Sequence, residues 1–129
     1  MRISAYDHCG LRVVHRDRAL DFYGSLGFAI DPRYSSERVE EVVTADGIRI
    51  HLIFNGATPP DGKNVLMDVE DRWPGYTHAA FIVDDLQHVL DWAAGRGVAI
   101  TEGPVDWGRR LTCFLRDPDG NVLEFNQLK

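Results

Sequence analysis

The sequence predicts an α+β fold made of two similar modules, each a strand, a helix and three further strands. Three observations carry this: the chain aligns with itself, each half alternates strand-like with helix-like apolar spacing, and turn residues recur at matching places. Laying His8–Phe28 over His78–Val98 needs no gap. It matches His8 with His78, Val13 with Val83, Leu20 with Leu90, Asp21 with Asp91 and Gly27 with Gly97. With the register shifted by three residues, Asp46–Leu52 falls on Asp119–Phe125 and pairs His51 with Glu124. Loops of unequal length absorb that shift at little entropic cost.

In the first module, Tyr6–Val14 is an apolar-rich run expected as a strand. Arg16–Leu26 sets Ala19, Leu20, Phe22 and Tyr23 at helical spacing, and Gly27 supplies a residue tolerant of positive φ to end the helix. Phe28–Tyr34, Val39–Ala45 and Ile48–Phe54 follow as expected strands, the last two joined through the Asp46-Gly47 turn. In the second module the order repeats: strand Thr77–Val83, helix Asp85–Arg96, then strands near Val98–Gly103, Leu111–Arg116 and Asn121–Asn126. Between them, 56–75 is rich in Pro, Gly and charge and reads as a connection anchored by Val65, Leu66, Met67 and Trp73. The expected organisation is one domain over 1–129, with modules at 1–55 and 76–129.

A chain of 129 residues, 44% hydrophobic and 10% aromatic, has enough apolar surface for a packed core. Its net charge of -6 excludes the clustered basic footprint that phosphate neutralisation demands, so no nucleic-acid partner is expected. The first residues, MRISAYDHCGLRVVHRD, fit neither a signal peptide nor a membrane span, so a cytoplasmic location and no membrane partner are expected. Cys9 and Cys113 are expected as reduced, buried thiols.

Strand alternation can direct His8, His51, His78 and Glu124 toward one concavity. Three imidazoles and a carboxylate suit one divalent cation, among Ni, Zn, Co, Mn and Fe, and can leave open positions for water or substrate. A single histidine on a strand signifies little. The repeat, however, brings two pairs of ligand-type residues to equivalent positions independently. His15 and His88 have no such counterparts and are expected to face solvent.

The segments DHCGLRV, RALDFYGSLGF, YTHAAFIVDDL, GRGVAI and FLRDPDGNVLEF resemble the vicinal oxygen chelate superfamily of glyoxalases, bleomycin-resistance proteins and extradiol dioxygenases, over nearly the whole chain. That resemblance implies paired βαβββ modules forming a curved mixed sheet around a metal-binding cleft, commonly completed across a homodimer. It also implies a cation that holds two oxygens of a small-molecule substrate and stabilises developing negative charge.

Within the superfamily the chain looks most like bacterial glyoxalase I, which acts on the glutathione hemithioacetal of methylglyoxal. The four metal positions of that family match His8, His51, His78 and Glu124, and its glutathione-holding arginine and asparagine match Arg12 and Asn55. His51 stands where that family carries glutamate, so one of the two flanking carboxylates is absent at that position. Glu124 is then the expected general base and His51 its catalytic partner. An iron-dependent extradiol oxygenase using His8, His78 and Glu124, and a drug-binding resistance protein, are the competing readings.

Trp107 and Arg109 are further candidates for substrate contact, beside Trp73, Tyr76 and Arg110. The competing expectation for these aromatics is core packing, and for the arginines solvated charge. The carboxylates of Asp117-Pro118-Asp119-Gly120 read as turn chemistry, and Asp84-Asp85 as the start of a helix.

Overall fold

The computed structural model describes residues 1–129 as two compact units, 1–58 and 59–129. In the N-terminal unit, β1 (Cys9–Arg12), α1 (Arg16–Ser25), β2 (Ala29–Ile30), β3 (Val39–Val43) and β4 (Arg49–Ile53) form a mixed sheet in the order β1-β4-β3-β2. The C-terminal unit holds β5 (His78–Ile82), α2 (Leu86–Arg96), β6 (Ile100–Asp106), β7 (Arg110–Arg116) and β8 (Val122–Leu128) in the equivalent order β5-β8-β7-β6. Each unit is therefore a βαβββ module, with its first strand parallel to its last and the remaining pairs antiparallel. No helix is long and apolar enough to cross a membrane.

Alternation along the strands separates two faces in each sheet. In the N-terminal unit Val42, Ile50 and Leu52 are buried, as are Val13, Phe28 and the Ala19, Phe22 and Tyr23 positions of α1. Glu40 shares the Val42 face, where Arg16 and Ser35 bind its Oε1. Glu41, His51 and Arg49 occupy the opposite face, which carries the candidate site. In the C-terminal unit α2 packs on β7 and β8, and its Leu86, Val89 and Ala93 are buried along with Cys113, Leu115, Leu123 and Phe125. Glu124, Asn126, Phe114 and Thr112 lie on the other face of that sheet.

The helix boundaries follow their capping chemistry. Asp85 accepts a hydrogen bond from the Gln87 amide at the start of α2, and Gly97 ends that helix at φ 66°. In the first module α1 stops at Ser25, and Gly27 follows at φ 96°. Gly103 lies at an irregularity in the β6–β7 register with φ 88°, and a Cβ there would sit 2.5 Å from the Thr112 carbonyl oxygen, so only glycine fits.

Several expected elements differ. The Phe28–Tyr34 strand reduces to Ala29–Ile30, because Asp31 caps a 3-10 turn at Pro32–Tyr34 and accepts from the Arg33 amide at 3.1 Å. Proline fixes φ and has no amide hydrogen for the ladder. The first strand is shorter than Tyr6–Val14, since only Cys9–Arg12 pairs with β4. Residues 59–75 fall in the C-terminal unit, where Asn64 donates to the Gly120 carbonyl and Arg116 clamps Asp68 through two bonds of 2.6 and 2.7 Å. Leu66 and Met67 are partly buried there, whereas Val65 and Trp73 are exposed. Core packing does not hold for Trp73, Tyr76 and Trp107 either: all three are exposed, and Tyr76 fully so.

Candidate functional site

Each unit brings together two of the four side chains singled out by the repeat. His8 precedes β1 and His51 lies in the middle of β4, beside Gly10 in the parallel register. Their rings stack with centroids 3.6 Å apart and planes inclined by 13°. Gly10 has no side chain to fill the space next to His51 on that face.

The two imidazoles are held from behind by carboxylates. His8 Nδ1 lies 2.5 Å from Asp7 Oδ2, and His51 Nε2 lies 2.5 Å from Glu41 Oε2. A carboxylate only accepts, so His8 carries its proton on Nδ1 and His51 on Nε2. In its neutral form each ring then presents its lone pair on the other nitrogen, His8 Nε2 and His51 Nδ1. The bond to His8 holds the Asp7 carboxyl below its usual range.

Behind Glu41 the network continues. Arg49 binds Glu41 Oε1 and reaches Asp31 Oδ2 at 3.3 Å, while Arg33 binds Asp31 at 2.7 and 3.0 Å. The Arg33 bond, with Arg49 adding to it, holds Asp31 well below the ordinary carboxylate range. On the same sheet face, Arg12 Nε donates to Asn55 Oδ1 at 2.9 Å, so the two predicted substrate-holding residues meet each other.

In the C-terminal unit His78 opens β5 and Glu124 lies on β8. His78 Nε2 is 2.8 Å from Glu124 Oε2, and Thr77 Oγ1 is 2.9 Å from His78 Nδ1. Asn126 Nδ2 donates to Glu124 Oε1 at 2.9 Å, and Thr112 Oγ1 donates to Asn126 Oδ1 at 2.6 Å. Thr112 and Asn126 are buried, while the Glu124 side chain remains 15% exposed. Phe114 stands directly opposite Glu124 in the ladder and meets the His78 ring edge to face.

The donor chemistry of both pairs fits a divalent cation. An imidazole nitrogen and a carboxylate oxygen about 3 Å apart are spaced as neighbouring ligands on an ion with bonds of ~2.0–2.2 Å. Ligating histidines characteristically give their other ring nitrogen to a carboxylate or hydroxyl, as His8 and His51 give theirs to Asp7 and Glu41. Nowhere do three or more His, Cys, Asp and Glu side chains stand together as a complete metal site.

The remaining predicted residues lie elsewhere. Trp107 and Arg109 belong to the turn between β6 and β7, where Trp107 N donates to the Arg110 carbonyl and Gly108 N to Asp106. Arg110 pairs with Leu128, four register steps from the Phe114–Glu124 pair, which is about 13 Å along the strand at ~3.3 Å per residue. The unit does not bring these two to Glu124. His15 and His88 are exposed, as expected. Asp117 accepts from the amides of Asp119 and Asn121, the turn role expected of it. Cys9 and Cys113 are unpaired, and burial raises both thiol pKa values.

Asp7, Glu41, Asn126 and Thr112 were not singled out in the sequence. The available signal was a charged residue inside an apolar strand, as in VEEVV at 39–43, but two adjacent glutamates face opposite ways and only the register identifies which one meets His51.

A family model of the glyoxalase/bleomycin resistance protein/dioxygenase superfamily matches residues 5–125. A lactoylglutathione lyase of Haemophilus influenzae is 30% identical over 125 residues, covering 95% of this chain and 91% of the relative. Among solved structures, a glyoxalase/dioxygenase from Nostoc punctiforme superposes with a TM-score of 0.78 at 23% identity, covering 95% of this chain and 90% of that one. TnmS3, an antibiotic binding protein from a Streptomyces species, superposes at 0.73 with 23% identity over 100% of this chain and 99% of its own. At that identity these two likenesses speak for the fold alone.

Proposed function

Because the chain belongs to the glyoxalase/bleomycin resistance protein/dioxygenase superfamily, we propose that it is a metal-dependent lyase of the glyoxalase I type, acting on the thiol hemithioacetal of a 2-oxoaldehyde such as methylglyoxal. The observation that carries this reading is the His78–Glu124 pair, 2.8 Å apart, standing at the repeat positions of the stacked His8 and His51. The relatives named as lactoylglutathione lyases support the substrate class.

His8, His51, His78 and Glu124 would hold one divalent cation, the first pair from one copy of the chain and the second from a partner copy in a homodimer. Bound there, the cation supplies Lewis acidity toward two vicinal oxygens of the substrate. Glu124 is the general base and takes the proton from the carbon beside the carbonyl. Asn126 keeps Oε1 of Glu124 occupied, so the proton is taken on Oε2 once that oxygen is released from the cation it would otherwise hold. Returning that proton to the neighbouring carbon completes the isomerisation and regenerates the Glu124 carboxylate for the next turnover. Arg12, its guanidinium already oriented by Asn55, binds a carboxylate of the thiol carrier.

The test is lactoylglutathione formation by purified protein reloaded with nickel, zinc, cobalt or manganese, alongside elemental analysis. The expected result is near-stoichiometric metal with turnover, both lost in Glu124→Ala. Metal-loaded protein that leaves hemithioacetals of several thiols unchanged refutes the reaction. Mixing His8→Ala with Glu124→Ala subunits addresses the shared site, since a mixed dimer retains one intact set of four ligands. Recovered metal binding is expected, and none recovered would place all four ligands in one chain.

A further inference from the structure

We infer that Glu41 is a positioning residue of the N-terminal half-site: it fixes His51 as the Nε2–H tautomer, so that His51 offers only Nδ1 to a ligand. The inference rests on the reading of His51 as a metal ligand. It adds an atom-level assignment and a residue that neither the repeat nor the motifs mark.

The geometry begins in the ladder. Glu41 on β3 is the direct antiparallel partner of His51 on β4, and opposite residues in such a pair share a face. Glu41 is buried, and its two oxygens have separate donors: Arg49 on Oε1 and His51 Nε2 on Oε2 at 2.5 Å. The guanidinium has no acceptor capacity and the carboxylate no proton to give, so the polarity of the Glu41–His51 bond is settled by chemistry. His8, stacked on the face of the His51 ring, restrains the ring plane.

The fold itself does not demand a carboxylate there. In the equivalent sheet of the C-terminal unit, the ladder partner of Glu124 is Phe114, an apolar residue on the equivalent strand. A phenylalanine therefore satisfies that position of the module. A buried carboxylate carries a desolvation cost that an apolar side chain avoids. Its presence only where the facing residue is an imidazole points to the imidazole as its purpose. Arg49 and Asp31 then hold the carboxylate in place and fix the oxygen it presents.

The experiment combines nitrogen NMR of the histidine rings with zinc affinity measured by chelator competition, on the full chain with and without zinc. The expected wild-type result is a protected, downfield Nε2–H signal from His51, with the zinc-induced shift confined to Nδ1. Glu41→Gln keeps the volume but cannot accept from both donors at once. It should lose the protected signal and weaken zinc binding about ten- to a hundred-fold, the usual effect of removing such a support. If that variant fails to fold, Glu41→Met with Arg49→Met removes both charges and leaves no orphaned guanidinium, and the same losses are expected. A proton on Nδ1, a signal that survives both substitutions, or unchanged zinc affinity in a folded variant overturns the inference. Should zinc move neither His51 nitrogen while the Nε2–H signal still depends on Glu41, the tautomer assignment stands and the ligand reading falls.

Discussion

Replacing Asn126 by leucine tests whether the buried polar chain behind Glu124 supports both the fold and the site. Asn126 connects two groups: its Nδ2 donates to Glu124 Oε1 at 2.9 Å, and its Oδ1 accepts from Thr112 at 2.6 Å. Thr112 has no solvent exposure, so its hydroxyl loses its partner outright, at a cost of about 1–3 kcal/mol. The bond to an ionised carboxylate adds about 1.5–3 kcal/mol at most. Glu124 is 15% exposed, so water replaces part of that second loss. The expected destabilisation is about 2–4 kcal/mol. Urea unfolding should show it as a lower midpoint with an unchanged slope. Adding Thr112→Val removes the orphaned hydroxyl and should return about 1–2 kcal/mol, a coupling that a double-mutant cycle isolates. Zinc affinity should fall in both variants, because Glu124 loses its support in both. A single variant that costs under about 0.5 kcal/mol, or a strictly additive cycle, refutes the reasoning.

Three further outcomes are expected elsewhere in the molecule. The Arg116 clamp lowers the Asp68 carboxyl from 3.8 to about 2, so its stabilisation is complete above about pH 4 and lost as pH falls through 2. After discounting for exposure, Arg116→Met should cost about 1 kcal/mol at pH 7 and progressively less as pH falls from 4 through 2, measured by urea unfolding across that range. Asp85→Ala removes the cap of α2 and should cost about 1 kcal/mol, with faster hydrogen exchange at the Gln87 amide. Cys113 is fully buried with its thiol pKa raised by burial, so it should resist a thiol reagent in the native protein and react on unfolding.

The module order was legible because each half repeats one apolar pattern and one set of breakers. His8 aligned with His78 and His51 with Glu124 mark equivalent strands, and those strands do occupy equivalent places in the two sheets. Less legible was anything set by pairing. The segment at 28–34 has strand-like composition, but Asp31 before Pro32 makes a capped turn more favourable than continued pairing. Trp73, Tyr76 and Trp107 look like core by residue type, yet all three sit outside strands and helices, where no sheet face or helix stripe covers them. Glu40 and Glu41 are indistinguishable as letters. Only the β3–β4 register turns one toward Arg16 and the other toward His51.

The His8–His51 and His78–Glu124 pairs are supported with opposite polarity, and that follows from the chemistry of the residues in each. An imidazole that must offer a lone pair needs an acceptor for its other nitrogen, and His8 and His51 have Asp7 and Glu41. The Glu124 carboxylate instead meets donors, Asn126, itself fixed by Thr112, on Oε1 and His78 Nε2 at 2.8 Å from Oε2. The same module therefore carries a carboxylate network behind a histidine in one copy and an amide–hydroxyl pair behind a glutamate in the other. Exchanging His51 for Glu alone would set its carboxylate against Glu41, two like charges on directly opposed residues of a ladder. Restoring a glutamate at position 51 thus requires Glu41 to change with it, to glutamine or to an apolar residue such as the phenylalanine at position 114.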